Sequence, residues 1–278
     1  MQALIRPLNE LAEFEEISRD IRKGAGMIRV CGCVNSQKTH MMYALSDGCN
    51  YRVIACSGES KARQVYEEYH MLDPETYFYP AKDFLFYQAD IRSKELQESR
   101  MTVVQAILEE KPLTVVVSFD AFMDALPVKG AMKDRVIRIE NGQTLDFDEI
   151  RKALTENGYD REEQVDGPGQ FAIRGGILDI YPLTGELPVR IELWGDEVDS
   201  IRSFDTDSQR SVQNLDEAVI YPADELPGRP GKRVSFLEYF PPEDTLVFLD
   251  EPTRLVEKGE AVEQEFVEAT GKTRGKWL

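Results

Sequence analysis

Residues 189–194, Val-Arg-Ile-Glu-Leu-Trp, place an apolar side chain at every second position. Because side chains alternate between the two faces of a β-strand, this period of two predicts a strand whose odd-numbered residues face a core. Arg190, Glu192 and Trp194 then lie together on the other face. The stretch therefore predicts a half-buried strand, which is typical of an antiparallel sheet.

Further strands with a similar mixture of apolar and polar residues are predicted on both sides of this one, and they are joined by turns that contain Gly and Pro. They are predicted at 136–140, 170–174, 177–181 and 198–204, with one helix at 147–157. Half-polar strands with short connections indicate an antiparallel sheet. The middle of the chain is therefore predicted to be an α+β domain.

Both flanks of this domain change to an alternation of strands and helices. Before it, strands are predicted at 27–34, 52–56, 76–79 and 113–117, and helices at 10–23, 38–45, 61–72 and 94–110. After it, the pattern predicts a helix at 235–240 and a strand at 245–249. This order predicts an α/β fold with a mostly parallel sheet that is covered on both faces.

The composition excludes several classes of protein. The chain has 278 residues, 42% of them hydrophobic, and no apolar run approaches the ~18–20 residues of a membrane span. Its net charge of -18 argues against nonspecific nucleic-acid binding, because phosphate contacts need Lys and Arg. No metal site is expected, since the spacing of the four cysteines predicts reduced core thiols: Cys31, Cys33, Cys49 and Cys56. We expect a cytoplasmic protein.

Residues 32–39, Gly-Cys-Val-Asn-Ser-Gln-Lys-Thr, match the phosphate-binding pattern GxxxxGK[ST] at every fixed position but one. Gly32, Lys38 and Thr39 are in place, whereas Gln37 stands where the second Gly belongs. A side chain at that position obstructs the approach of the backbone to a phosphate and disfavours a positive φ. The loop is therefore interpreted as degenerate.

Asp250 and Glu251 follow an apolar strand and have the layout of a Walker B pair, which would hold Mg²⁺ and position water. Two interpretations stay open. One is a live ATP site in which Lys38 contacts the phosphates. The other is an inherited strand-loop-helix scaffold that no longer binds nucleotide, and Gln37 favours it.

The outward residues of 189–194 are a candidate interaction site, because an exposed Trp beside an exposed Arg is the composition of an interface hot spot. Arg174 points away from the apolar Ile173 and joins the same patch if the strand order brings the two strands together. In the alternative interpretation, Trp194 covers the end of the core and the arginines make surface ion pairs. Charges further along predict a salt-bridge network rather than an acid–base site: Asp199, Arg202, Asp205, Asp207 and Arg210.

Three stretches carry a family resemblance: residues 170–182, 187–205 and 208–210. They resemble the module shared by the excision-repair helicase UvrB and the amino-terminal part of the bacterial transcription-repair coupling factor, Mfd. The resemblance implies a RecA-like half-domain over 1–132, an inserted UvrA-binding domain over 133–220 and a return to the RecA-like domain over 221–278. The charged stretch 254–278 ends without a clear stop, which indicates a fragment of a longer protein.

Two departures from UvrB favour the coupling factors. Gln37 interrupts the phosphate loop, and 79–83 runs on without room for the DNA-probing hairpin of UvrB. Asp250 and Glu251 are a departure in the opposite direction, because they retain the layout of the working ATPase.

The resemblance implies a module that recruits UvrA and has no ATPase activity, catalytic residue, metal or cofactor of its own. The UvrA contacts of the family would fall on Arg174, Arg190 and Trp194. ATP, Mg²⁺, RNA polymerase and DNA would be bound only by regions beyond Leu278, and no membrane contact is expected. The alternative function is an active UvrB-type ATP-dependent DNA helicase that uses the loop and the acidic pair: Lys38, Thr39, Asp250 and Glu251.

Overall fold

The computed structural model describes residues 5–24, 26–34, 36–82, 94–225 and 231–270. Contacts within the chain divide it into two compact units. The first comprises the described residues of Met1–Asp83, Lys111–Asp124 and Phe240–Leu278, and the second those of Phe84–Glu110 and Ala125–Tyr239. None of the helices formed by described residues combines the length and apolar composition needed to cross a bilayer.

The α-helices are α1 Ala12–Arg22, α2 Ser36–Leu45, α3 Glu59–His70, α4 Lys94–Leu108, α5 Phe119–Phe122, α6 Lys129–Lys133, α7 Phe147–Glu156 and α8 Pro252–Thr270. The strands are β1 Tyr51–Cys56, β2 Thr76–Tyr79, β3 Leu113–Ser118, β4 Ala125–Pro127, β5 Ile137–Glu140, β6 Asp160–Arg161, β7 Gln170–Arg174, β8 Ile177–Tyr181, β9 Val189–Trp194, β10 Glu197–Phe204, β11 Ser211–Leu215, β12 Glu217–Ile220, β13 Arg233–Ser235 and β14 Thr245–Leu249. Single 3₁₀ turns occur at Leu8–Glu10, Phe236–Tyr239 and Pro242–Asp244.

The first unit contains a parallel sheet with the strand order β14-β1-β3-β2. The central strands β1 and β3 are mostly apolar and almost entirely buried, as expected for strands covered on both faces. Val53, Ile54, Val115 and Val116 are completely buried. The predicted α/β character of this part of the chain is therefore confirmed.

The predicted strand at 27–34 is wrong, because these residues form no strand in the structure. Gly32 has φ +92°, which interrupts an extended backbone. Met27 and Val34 are exposed, so the apolar side chains lack the packing that gives such residues their β preference. The prediction of four core cysteines is correct only in part, since all four are free thiols but only Cys56 is buried.

The second unit is built on a six-stranded sheet with the order β11-β10-β9-β8-β7-β6. Its pairs are antiparallel except for β6 with β7, which confirms the predicted antiparallel sheet. One face carries the main core, with completely buried side chains at Phe171, Leu178, Ile180 and Ile191, and a smaller buried cluster of Val165, Ala172 and Phe204 lies on the other face. Smaller two-stranded sheets pair β12 with β5 and β13 with β4.

Helix α4 belongs to the second unit, where Arg100 makes a buried ion pair with Glu225 at 2.8 Å. The predicted boundaries after residues 132 and 220 depend on where the sequence pattern changes between alternating strands and helices and half-polar strands. The two units instead reflect contacts within the fold. The boundaries stay a prediction. Residues 83–93 lie outside the described part of the chain, and so does the prediction that no hairpin follows β2.

A glycine ends helix α7 in a left-handed conformation. Gly158 has φ +87°, and the amide of Tyr159 donates to the carbonyl of Leu154 at 3.0 Å. The amide of Gly158 donates to Thr155 O at 3.1 Å, which completes a Schellman motif. A Cβ on Gly158 would lie 2.8 Å from Cβ of Asp224. Both the conformation and the space therefore require glycine here.

We expect Gly158→Ala to lower the free energy of unfolding by about 2 kcal/mol, because it adds crowding to left-handed strain. The matched control is Gly142→Ala, at φ +79° with its nearest neighbouring atom 3.9 Å away, which should lose only the backbone part, about 1 kcal/mol. Urea unfolding followed by circular dichroism measures both. Equal losses for the two variants would contradict the role of the Asp224 contact.

Candidate functional site

The face of the six-stranded sheet opposite its main core carries a cluster of charged and aromatic side chains. On β9, Val189 and Ile191 are buried, whereas Arg190 and Glu192 are half-buried and Trp194 is exposed. The predicted alternation of 189–194 is therefore confirmed for Val189 and Ile191, whereas Leu193, also predicted to face the core, is only half-buried. We call the cluster the arginine face and define it by Arg174, Asp179, Arg190, Glu192, Trp194 and Arg202.

Strand order brings Arg174 and Arg190 together around one carboxylate. Asp179 on β8 lies directly opposite Arg190 on β9, and β7 with Arg174 pairs with the other edge of β8. Nη2 of Arg174 donates to Oδ2 of Asp179 at 2.8 Å. Nε and Nη2 of Arg190 donate to Oδ1 and Oδ2 at 2.7 and 2.8 Å. The two arginines therefore share one face of the sheet, a question that the sequence had left open.

Arg190 is held on several sides. Its guanidinium carbon lies 4.3 Å from the centre of the Phe204 ring, and Nη2 also donates to Oε1 of Gln209 at 2.8 Å. Only 13% of the Arg190 side chain is exposed. Hydrogen bonding to the Asp179 carboxylate raises the pKa of Arg190, so the side chain keeps its positive charge.

Trp194 lies at the end of β9, next to the turn Gly195-Asp196, and is 85% exposed. The part of the alternative in which Trp194 covers the end of the core is therefore wrong, whereas the ion pairs of the arginines are present, both with Asp179. Arg174 lies at the end of β7, before the turn Gly175-Gly176, and its side chain is 44% exposed. Since β7-β8 and β9-β10 turn at the same end of the sheet, the two most exposed predicted contacts lie at that end.

Arg174 also lines a shallow cavity of about 670 Å³ at the β6 side of the sheet. The wall carries both signs of charge and one apolar side chain: Arg161, Glu162, Glu163, Gln164, Ile173 and Arg174. The exposed side of Arg174 is thus accessible to a polar group of a partner.

Glu192 and Arg202 form a second ion pair on the arginine face, and Oε2 of Glu192 accepts a hydrogen bond from Ser200 at 3.3 Å. The charge network predicted around Arg202 is not formed with the nearby aspartates, since Arg202 pairs with Glu192 and Asp205 instead accepts hydrogen bonds from Ser208 at 2.7 and 2.8 Å. Sequence analysis missed three residues that organise the face: Asp179, Phe204 and Gln209. A charged residue inside the apolar run 177–181 was the available signal.

In the first unit, Lys38 is bound to both residues of the Walker B-like pair. Its Nζ donates to Oδ1 of Asp250 at 2.8 Å and to Oε1 of Glu251 at 3.3 Å. These bonds raise the pKa of Lys38 and lower the pKa of Glu251. The positive charge of the lysine that would contact phosphates in a live site is thus already paired with two carboxylates.

The other loop residues make contacts within the chain. Oγ1 of Thr39 donates to Oε2 of Glu68 at 2.9 Å, and Oε1 of Gln37 accepts from the amide of Val34 at 3.4 Å. Gly32 has the left-handed conformation given above, and Asn35 lies outside the described residues. Among the described residues, no group of three or more His, Cys, Asp or Glu side chains is arranged to hold a metal ion.

Comparisons with known proteins match both parts of the chain. The family model described as UvrB interaction domain matches residues 137–226, which contain the arginine face. The transcription-repair-coupling factor of Bacillus subtilis is 33% identical over 234 residues, which are 83% of this chain and 20% of that protein. Those of Staphylococcus haemolyticus and Staphylococcus epidermidis are 39% and 38% identical over 52% and 53% of the chain.

The chain spans a fifth or less of the length of these relatives. The matches confirm the resemblance to the coupling factors and identify the chain as a UvrB-like amino-terminal module of that family.

We expect Lys38→Met to destabilise the protein near neutral pH by about 2 kcal/mol, because Asp250 is buried and loses its charged partner. Lys38 contributes below its ordinary pKa of 10.5, and this contribution is lost as the pH rises through the raised value. Glu251 contributes above its ordinary pKa of 4.5, and this contribution is lost as the pH falls through the lowered value.

The difference between wild type and Lys38→Met should therefore be largest between these limits and shrink at both ends. Urea unfolding midpoints of both proteins, taken from pH 3 to pH 11, measure this difference over a range that extends beyond the two ordinary pKa values, 4.5 and 10.5. Lys23→Met, at an exposed lysine of the same unit, is the control. A pH-independent difference would contradict the ion-pair account.

Proposed function

We propose that the arginine face recruits the excision-repair protein UvrA, so that this UvrB-like module delivers repair proteins during transcription-coupled repair. The observation that carries this proposal is the exposure of Trp194, at 85%, on the same face and at the same end of the sheet as Arg174, within the UvrB interaction domain. Exposure of a tryptophan side chain to water is unfavourable, and burial of that side chain against a partner makes binding more favourable.

The chemistry of the face fits a protein partner. Trp and Arg are the residues most enriched in interface hot spots, and central anchors of this kind cost ~2 kcal/mol or more when they are truncated. Arg174 offers a partly exposed guanidinium, which matches a carboxylate on a partner in a planar, two-bonded geometry. The net charge of -18 disfavours a polyanion such as DNA as the partner of this chain.

The family resemblance assigns Arg190 to the same contact. RNA polymerase and DNA are then bound by parts of the complete coupling factor outside this chain, and the whole protein acts in the cytoplasm as an ATP-dependent DNA translocase. The module itself contributes recognition and no catalytic residue.

Titration of purified UvrA into the chain tests recruitment. We expect saturable binding to the wild type, and a dissociation constant raised about 30-fold by Trp194→Ala and at least about tenfold by Arg174→Ala. Met71→Ala is the matched control, because Met71 is a large apolar residue, 78% exposed, in the other unit. Isothermal titration calorimetry measures all four proteins.

Melting temperatures of the variants verify that they fold. Absence of binding by the folded wild type would overturn the proposal, and so would equal binding by the Trp194→Ala variant.

We further propose that the parallel-sheet unit is a RecA-like half-domain whose nucleotide loop has lost its function. Gln37 places a side chain where the pattern needs glycine, and Lys38 already has two carboxylate partners. Thr39, which would bind Mg²⁺, donates to Glu68. In the alternative, a UvrB-type helicase half, Lys38 would have to leave its carboxylate partners to bind phosphate, and Thr39 would have to leave Glu68 to bind Mg²⁺.

Nucleotide binding separates the two functions. We expect millimolar Mg-ATP to leave the melting temperature of the wild type unchanged, because a ligand that does not bind the native state cannot stabilise it. Lysozyme and a working P-loop ATPase serve as negative and positive controls. A clear upward shift that is lost in the Lys38→Ala variant would support the helicase alternative instead.

A further inference from the structure

We infer that Arg190 is a positioning residue, and that it acts on the partner only by setting Asp179 and, through it, Arg174. This inference rests on the proposed function, since it assigns different roles to two arginines of the same face. The resemblance places both among the UvrA contacts, whereas their surroundings in the structure differ.

The contacts of Arg190 are made within the chain. Nε and Nη2 donate to Asp179, Nη2 donates to Gln209 as well, and the guanidinium carbon lies over the Phe204 ring. With 13% of its side chain exposed, Arg190 presents little of itself to a partner. A direct contact would require these bonds to be broken, and bonds to a charged group are costly to lose.

Arg174 has the opposite character. Its one hydrogen bond among the described residues is from Nη2 to Asp179, and 44% of its side chain is exposed. It also lines the cavity beside β6, where a group from a partner can approach. Arg174 can therefore add a partner carboxylate without losing the bond that orients it.

Asp179 connects the two arginines. Its side chain is 1% exposed, and Oδ2 accepts from both Arg174 and Arg190 while Oδ1 accepts from Arg190 alone. Without Arg190, Arg174 becomes the only charged partner of a buried carboxylate. We expect Arg174 then to turn inward over Asp179, because leaving that charge half-paired is unfavourable. The exposed guanidinium would be lost to the partner.

A second layer fixes Arg190. Gln209 has φ +58° in the turn after β10, and its Nε2 donates to the carbonyl of Thr206 at 2.8 Å, which aims Oε1 at Arg190. Asp205 holds the same turn by accepting from the amide and hydroxyl of Ser208. The turn 205–210 is therefore part of the support of the face.

A double-mutant cycle on binding of UvrA tests this assignment. Arg190→Ala should raise the dissociation constant about tenfold in the wild-type background but less than about twofold in the Arg174→Ala background, because its effect passes through Arg174. Equal tenfold losses in both backgrounds would overturn the inference and make Arg190 a direct contact. So would an Arg190→Ala variant that binds as tightly as the wild type.

Two further variants separate positioning from charge and from folding. Arg190→Lys keeps the charge but cannot bond both oxygens of Asp179 in one plane, so it should bind as weakly as Arg190→Ala; full rescue by lysine would contradict positioning. Gln209→Asn keeps both arginines and Asp179, tolerates the positive φ and withdraws the amide oxygen. It should weaken binding about threefold, and only when Arg174 is present.

The Gln209→Asn arm decides the question even if Arg190→Ala fails to fold, because it leaves the buried carboxylate paired. An equal loss with and without Arg174 would overturn the inference. Trp194→Ala keeps the proposed function distinguishable: wild-type binding that depends on Trp194, together with additive arginine effects, would retain recruitment and reject only the role of Arg190.

Discussion

The carboxylate of Asp179 is buried in a sheet between two arginine-bearing strands, and the arrangement of the arginine face depends on it. A charge removed from water in this way must be paired, and Asp179 is paired by Arg174 and Arg190 together. The pairing fixes both side chains relative to β8 and therefore relative to each other. Trp194 lies at the end of β9, next to a tight turn. The result is a face of paired arginines and carboxylates with an exposed aromatic ring at one end, on a chain that is acidic overall.

The two units differ in how far their basic candidate residues are exposed to solvent. In the first, Lys38 binds Asp250 and Glu251, so a loop that resembles a phosphate site has its cation satisfied within the chain. In the second, Arg174 remains 44% exposed and Trp194 85% exposed. An exposed Trp with a partly exposed Arg is the composition typical of a binding interface. The contrast is the physical basis for proposing recognition, rather than nucleotide chemistry, as the work of this module.

The pattern of apolar and polar residues along single strands was sufficient to predict several strands of both sheets. The period of two along 189–194 predicted which side chains leave the core, and the apolar runs predicted the parallel strands β1 and β3. Pattern failed at 27–34, where Gly32 adopts a positive φ that composition does not reveal. It also could not reveal Asp179 as the partner of both arginines, because that depends on strand order and register. The motifs placed Lys38 and Asp250 in one candidate nucleotide site, but they did not predict that these residues, 212 positions apart, bind each other directly.

The most direct test of the arginine face as the recruiting surface is fluorine NMR of Trp194. The chain has two tryptophans, so Trp277→Phe leaves Trp194 as the single site for 5-fluorotryptophan. Adding unlabelled UvrA should shift and broaden this resonance in a saturable way, and should remove its sensitivity to exchange of H₂O for D₂O as the ring leaves water. Binding of UvrA, seen by co-sedimentation, with an unchanged Trp194 resonance would contradict the account and place the contact elsewhere on the chain.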